Sequence, residues 1–210
     1  VSRHGHLDRV PVFAGLVAGQ VAWALGYLLT FAVTWSGDHE AILETALGDA
    51  PLPELYQTVG WVFYSAHGAW ITIEPVARGD QVSLFTVGLV GSDGFSPVLY
   101  VVPAVLLLAA GALVAVRTDV ERPREGLVTG LAVVPGYLAL TVAGKLATTT
   151  VWSMGPGGTA SPAAVGVLLA GVLYPAVCAG AAGGLVGVFR AREDSPDQSR
   201  VENAERRGGD

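Results

Sequence analysis

Few residues in this chain are equipped for chemistry, and the best candidate is His67 in GWVFYSAHGAW, residues 60–70. Its imidazole stands among Trp61, Tyr64 and Trp70, in a partly buried setting. A metal centre needs about three or four ligands. Only His39 and nearby acids accompany His67, at spacings that match no ligand pattern. A hydrogen-bonded structural histidine is the reading, with no metal and no cofactor expected. Lys145 is the only cation inside an apolar run. It falls about 20 residues into its helix, so at ~1.5 Å per residue it nearly reaches the far boundary. Snorkelling to the headgroups or pairing with an acid explains it; contact with a substrate is the alternative. Gln20 suits an interhelical hydrogen bond better than a ligand contact. Cys178, a single cysteine in an apolar run, reads as a small buried hydrophobe. The spans contain no Asp, Glu or His, which argues against a proton pump built on a buried carboxylate. No phosphate loop, nucleophile elbow or zinc-protease motif occurs. No catalytic residue is expected, and the chain reads as a non-enzyme.

The elements that position these residues follow from composition. Charged residues make up only 14% of the chain, hydrophobic residues 51%, and the mean hydropathy is +0.51. Soluble domains carry roughly 25% charged residues. The charges gather at the termini and in residues 36–95 and 117–125, leaving runs that exceed the roughly 20 residues a hydrocarbon core demands. The chain is therefore expected to be an all-α integral membrane protein. The run from Pro11 to Trp35 exceeds a cleavable signal core and is expected to stay as an anchor.

Four spans are expected, at 11–35, 97–116, 126–150 and 163–189, with residues 60–70 as the contested fifth. Arginine decides, because cytoplasmic flanks collect it. Arg3 and Arg9 precede the first span, Arg117, Arg122 and Arg124 join the second and third, and Arg190 and Arg192 follow the last. Residues 36–95 carry Arg78 alone against eight acids. Four spans put every basic cluster on one side and the acidic segment on the other. The expected layout is a cytoplasmic N-terminus (1–10), an extracellular acidic insertion (36–96), a cytoplasmic loop (117–125), a short outer loop (151–162) and a disordered cytoplasmic tail (190–210). Both termini are then cytoplasmic, in the cell membrane, and the spans form two in-out-in hairpins.

An internal rhyme supports the hairpins. GLVAGQVAWALGYLLTFAV (15–33) and GLVTGLAVVPGYLALTVA (126–143) share G-L-V-x-G followed by G-Y-L, and the following helices end at Arg117 and Arg190 in similar fashion. That pattern suggests a parallel duplication. Lipid offers helices little hydrophobic reason to associate, so close packing over small residues must hold the bundle. Gly15 with Gly19, Gly126 with Gly130, Gly180 with Gly184 and Gly183 with Gly187 supply that spacing. Pro103, Pro135 and Pro175 fall inside spans, and Pro135-Gly136 is the candidate hinge.

In the insertion, a short helix is expected from Ser36 or Asp38 to Gly48, with Ile42, Leu43, Ala46 and Leu47 on its apolar face. From Glu54, apolar residues recur at Leu55, Val59, Val62, Phe63 and Ala66, opposite Gln57, Thr58 and Ser65. With its aromatics this reads as an amphipathic helix lying in the outer interface. ITIEPV and QVSLFTV around ARGD suggest a small β-hairpin.

The order of the G-Y-L-L-T helix, the acidic insert, G-W-V-F-Y-S-A-H and the V-L-Y-P…G-G-L-V-G-V helix resembles a family of small haloarchaeal multi-pass membrane proteins. Those proteins are uncharacterised and sometimes loosely labelled transporters. The likeness covers residues 10–190 and implies topology and a salt-loving habitat, with no site residues carried over; eleven arginines to one lysine agree with that habitat. The leading functional expectation is transport or permeation of ions or small solutes as a homo-oligomer. The alternative is an accessory or sensory protein whose outer acidic segment binds a membrane or extracellular protein partner. Lipid bilayer is the expected solvent, and no nucleic acid is involved.

Overall fold

Four helical stretches are long and apolar enough to cross a membrane: Val12–Ser36, Pro97–Arg117, Pro123–Thr148 and Ala164–Glu193. They come from a computed structural model that describes residues 12–36, 39–47, 52–75, 85–91, 95–152 and 158–193. The first is the continuous helix α1, Val12–Ser36. Two short helices follow, α2 (His39–Leu47) and α3 (Leu55–Ser65), and then strands β1 (Ile71–Pro75) and β2 (Phe85–Val87). A tight 3₁₀ turn, Pro97–Tyr100, leads into α4, Val101–Arg117.

The third stretch is broken into α5 (Pro123–Leu131) and α6 (Val134–Thr148). Pro135 has no N–H to offer the Leu131 carbonyl, and the helix opens just ahead of it, at 132–133. Strands β3 (Thr150–Trp152) and β4 (Gly158–Pro162) then precede the last stretch. That stretch comprises α7 (Ala164–Leu168), a wider π turn (Leu169–Leu173) and α8 (Tyr174–Glu193). Pro175 would clash with the carbonyl four residues before it in a regular helix, and the π turn lies where that carbonyl, Gly171, is found.

Backbone contact over glycine holds these helices together. Gly15 and Gly19 lie against Ala132 and Val133, while Trp23 further along α1 reaches Gly144, so α1 and α6 run in the same direction. Gly126 lies against Gly183 and Gly130 against Ala179, so α5 and α8 run oppositely. Gly187 lies against Arg122, and Gly111 of α4 meets Ala179. Three of the four expected glycine pairs therefore sit where backbone leaves no room for a side chain. At Gly180 and Gly184 an added side-chain carbon would meet leucine side chains and the Pro123 carbonyl at 3.3–3.7 Å, so that pair is the looser one.

The two ends of the bundle differ in chemistry. One collects Arg117, Arg122, Arg124, Arg190 and Arg192. There Arg190 bonds Asp119 through Nη1 and the Val116 carbonyl through Nη2, both at 3.0 Å, which ties α4 to α8. The other end carries a four-stranded antiparallel sheet in the order β2-β1-β4-β3.

Several expectations need correction. The β1–β2 pairing fits the expected hairpin, with its ARGD turn outside the described residues, but the second loop is more than a short turn. It contributes β3 and β4, so one sheet joins both loops. The final helix runs to Glu193, past the expected start of a disordered tail at Arg190; the rest of the tail is outside the described residues. The expected short helix forms as α2, with Leu43 buried. The largest correction concerns α3.

Candidate functional site

Helix α3 starts where its sequence says it should. The Gln57 side chain accepts from the Glu54 N–H at 3.0 Å and completes a capping box. The chain turns away just beyond the helix at Gly68, whose φ of +75° suits glycine best. The placement of α3 is not that of an interfacial helix. Every residue from Gln57 to His67 is buried, including Gln57, Thr58 and Ser65 on the side expected to be wet. The helix enters from the sheet end and packs along α1 and α6, with the segment after β2 closing over Ser65. An alternating face cannot be read from a segment that is dry all round.

Its contacts with α6 form a ladder. Trp61 Nε1 donates to the Thr148 carbonyl at 2.8 Å. One turn deeper, the Tyr64 hydroxyl donates to the Thr141 carbonyl. Deepest, His67 Nε2 lies 2.6 Å from the Tyr137 hydroxyl. From Thr148 to Tyr137 is 11 residues of α6, about 16 Å of helix at ~1.5 Å per residue. Thus α3 is re-entrant: it goes in roughly half the length of the bundle and comes back. Gly60 permits this, because a side chain there would overlap Thr148. The sequence places no histidine inside a span, yet the fold brings one among the spans on a separate segment.

The rings around His67 come from three elements. Phe63 lies edge-on at 4.7 Å, Tyr174 of α8 edge-on at 5.2 Å and Tyr137 at 5.9 Å. Phe63 also meets Trp23 and Tyr27 of α1, which stack on one another at 5.3 Å. At the other end of α3 the Tyr27 hydroxyl donates to the Tyr56 carbonyl at 2.8 Å.

Protonation states follow from these partners. His67 Nδ1 is 2.8 Å from the Phe63 carbonyl, which can only accept, so Nδ1 carries the proton. Nε2 of the neutral ring then accepts from Tyr137. Burial pushes the His67 imidazole down to about 4, with the Phe63 carbonyl opposing weakly, so the ring is neutral at pH 7. Burial likewise pushes the Tyr64 hydroxyl above its usual range.

The structure thus brings together three of the residues singled out in the sequence, Trp61, Tyr64 and His67, and leaves four apart. Trp70 is 63% exposed beside β1, where its carbonyl accepts from Ala163. Lys145 is half-buried in the last turn of α6 and makes no ion pair among the described residues. Gln20 is half-buried midway along α1. Pro135 sits just past the break between α5 and α6. Sequence reasoning missed Tyr27, Tyr137, Tyr174 and Trp23. A signal existed for two of them: Tyr27 and Tyr137 are the tyrosines of the two G-Y-L repeats, Gly26-Tyr27-Leu28 and Gly136-Tyr137-Leu138. Each repeat tyrosine bonds one end of α3.

Among the described residues, no three His, Cys, Asp or Glu side chains come together to hold a metal ion. Four buried polar atoms, Trp23 Nε1, Thr34 Oγ1, Thr58 Oγ1 and Thr150 Oγ1, have no partner among the described residues. Hydrogen bonds at Trp61, Tyr64 and His67 position α3 against α6. No curated protein and no solved structure matches the chain. A family model matches residues 1–190, nearly the whole sequence, and the chain belongs to that family of unknown function, DUF7978.

Proposed function

We propose that this is a non-enzymatic membrane protein that passes ions or small solutes as a homo-oligomer, with α3 as the plug of each subunit. The observation that carries the reading is a short helix that runs inward along α1 and α6 toward α8, is buried from Gln57 to His67, and turns back. Non-spanning backbone at such depth is tolerated only inside protein or along a cavity, and re-entrant segments and broken helices recur where membranes are made permeable. The interruptions at 132–133 and 169–173 belong to the same pattern. In the proposed orientation the arginine-bearing end and both termini face the cytoplasm, and the sheet and acidic insertion face outward, in the cell membrane of a salt-adapted organism.

Flux of ions or small solutes into proteoliposomes tests the reading. Tyr137→Phe and His67→Ala, which loosen α3, are expected to raise the rate. No flux from wild type or either variant, at any oligomeric state, rejects it.

A second reading has its own observation. The sheet joins both loops into one platform at the end that carries the acidic insertion. An accessory or sensory protein would use such a platform to bind a membrane or extracellular partner. Gentle detergent extraction would then yield a complex that depends on residues 36–95.

A further inference from the structure

The docked end of α3 is held by a group whose charge state can be changed. His67 is fully buried, and each of its ring nitrogens is already committed, Nδ1 as donor to Phe63 and Nε2 as acceptor from Tyr137. The titratable groups facing it are Tyr64 from its own helix, Tyr137 from α6, and Tyr174 from α8, with Cys178 next to the two tyrosines of the long helices. From α1, Trp23 and Tyr27 reach Phe63 instead, and α4 carries no titratable side chain before Arg117. No described carboxylate faces the ring. A second proton on His67 would therefore place an unpaired cation in a dry site and take away the acceptor of the Tyr137 hydroxyl. Unpaired buried charge is among the most costly arrangements in a protein.

Relief lies close by. His67 is the last buried residue before Gly68, which is exposed and has nothing within 4 Å of where a side chain would begin. We propose that protonation of His67 releases the C-terminal end of α3 from the bundle, so that the re-entrant helix is docked near neutral pH and undocks in acid. This rests on reading α3 as a movable plug, but not on what passes when it moves.

Hydrogen exchange of the full chain in nanodiscs at pH 7 and pH 5, corrected for intrinsic exchange, tests the proposal. An imidazole pushed to about 4 when docked and titrating at 6.5 when free gives a loss of docking of about 20-fold across that interval. Protection of residues 57–68 is expected to fall by that factor, with the long helices unchanged. His67→Gln, whose amide can donate and accept but does not titrate, is expected to keep equal protection at both pH values. Tyr137→Phe is expected to show low protection already at pH 7. Unchanged protection in the wild type, or an equal fall in His67→Gln, overturns the proposal. Should His67→Gln fail to fold, nitrogen NMR of the wild-type imidazole replaces it. Titration of His67 must then coincide with the loss of protection, and separated transitions overturn the proposal. Flux is not the readout, so a protein that conducts nothing can still pass this test, and one that conducts can fail it.

Discussion

Tyr27 and Tyr137, each the centre of a Gly-Tyr-Leu tripeptide on a different long helix, hold opposite ends of one short helix. The Tyr27 hydroxyl donates to the Tyr56 carbonyl at the start of α3, and the Tyr137 hydroxyl lies 2.6 Å from His67 Nε2 just past its end. Neither tyrosine touches α3 by apolar packing alone. Both spend their one polar atom on it.

The two clamps differ in exposure and therefore in worth. Tyr137→Phe leaves the buried Nε2 of His67 without a donor and is expected to cost about 1–3 kcal/mol. Tyr27→Phe removes an exposed bond whose carbonyl can turn to water, and is expected to cost under ~1 kcal/mol. Chemical denaturation of the two variants in matched detergent measures the difference.

Stability should depend on pH through His67. Its imidazole is pushed below the ordinary 6.5 in the folded state, so the unfolded chain binds more protons between about 4 and 6.5. The stabilisation is complete above pH 6.5 and is lost as pH falls toward 4. Thermal unfolding followed from pH 7.5 to 4.5 should show this decline, and the slope should flatten in His67→Gln.

Glycine substitutions should divide by what the added atoms meet. Gly130→Val drives side-chain atoms into the Ala179 carbonyl and is expected to cost more than ~3 kcal/mol or prevent assembly. Gly184→Ala meets only ordinary contacts at 3.7 Å and is expected to be tolerated. Melting temperature and yield after extraction separate the two.

Asp119 sits at φ +48°, a region that β-branched residues avoid. Its bond to Arg190 is exposed on the aspartate side, so the ion pair itself contributes little. Asp119→Gly and Asp119→Asn are expected to change stability by less than ~0.5 kcal/mol, while Asp119→Val loses roughly 1–2 kcal/mol to backbone strain. A denaturation series across the three checks the order.

The long apolar helices were legible because lipid demands a length and a composition that survive any detail of packing. Arginine placement marks one end of the bundle, and glycine spacing marks two of its contacts, α1 with the start of α6 and α5 with α8. The position of α3 was not legible. Its residues Gln57, Thr58 and Ser65 look like a wet face, yet all three are buried, and Ser65 accepts from the Leu89 N–H of the segment after β2. Trp61 and Tyr64 read as headgroup anchors for the same reason: an aromatic ring with a polar tip suits both the interface and a buried carbonyl, here Thr148 and Thr141. The sheet was half legible, since β1 and β2 carry their own β-branched residues, whereas β4, Gly158–Pro162, is strand because β1 and β3 pair with it on either side.

Reactivity of single cysteines placed around α3 tests most directly whether this helix lies inside the bundle. With Cys178 replaced by alanine, Thr58→Cys and Ser65→Cys sample the side expected to be wet, Val59→Cys samples the apolar side, and Trp70→Cys serves as the exposed control. At neutral pH the expected result is labelling by a water-soluble maleimide at position 70 alone, the other three reacting only after denaturation. Rapid labelling at 58 and 65 with position 59 protected would mark a helix lying on the membrane surface, and would contradict the re-entrant plug.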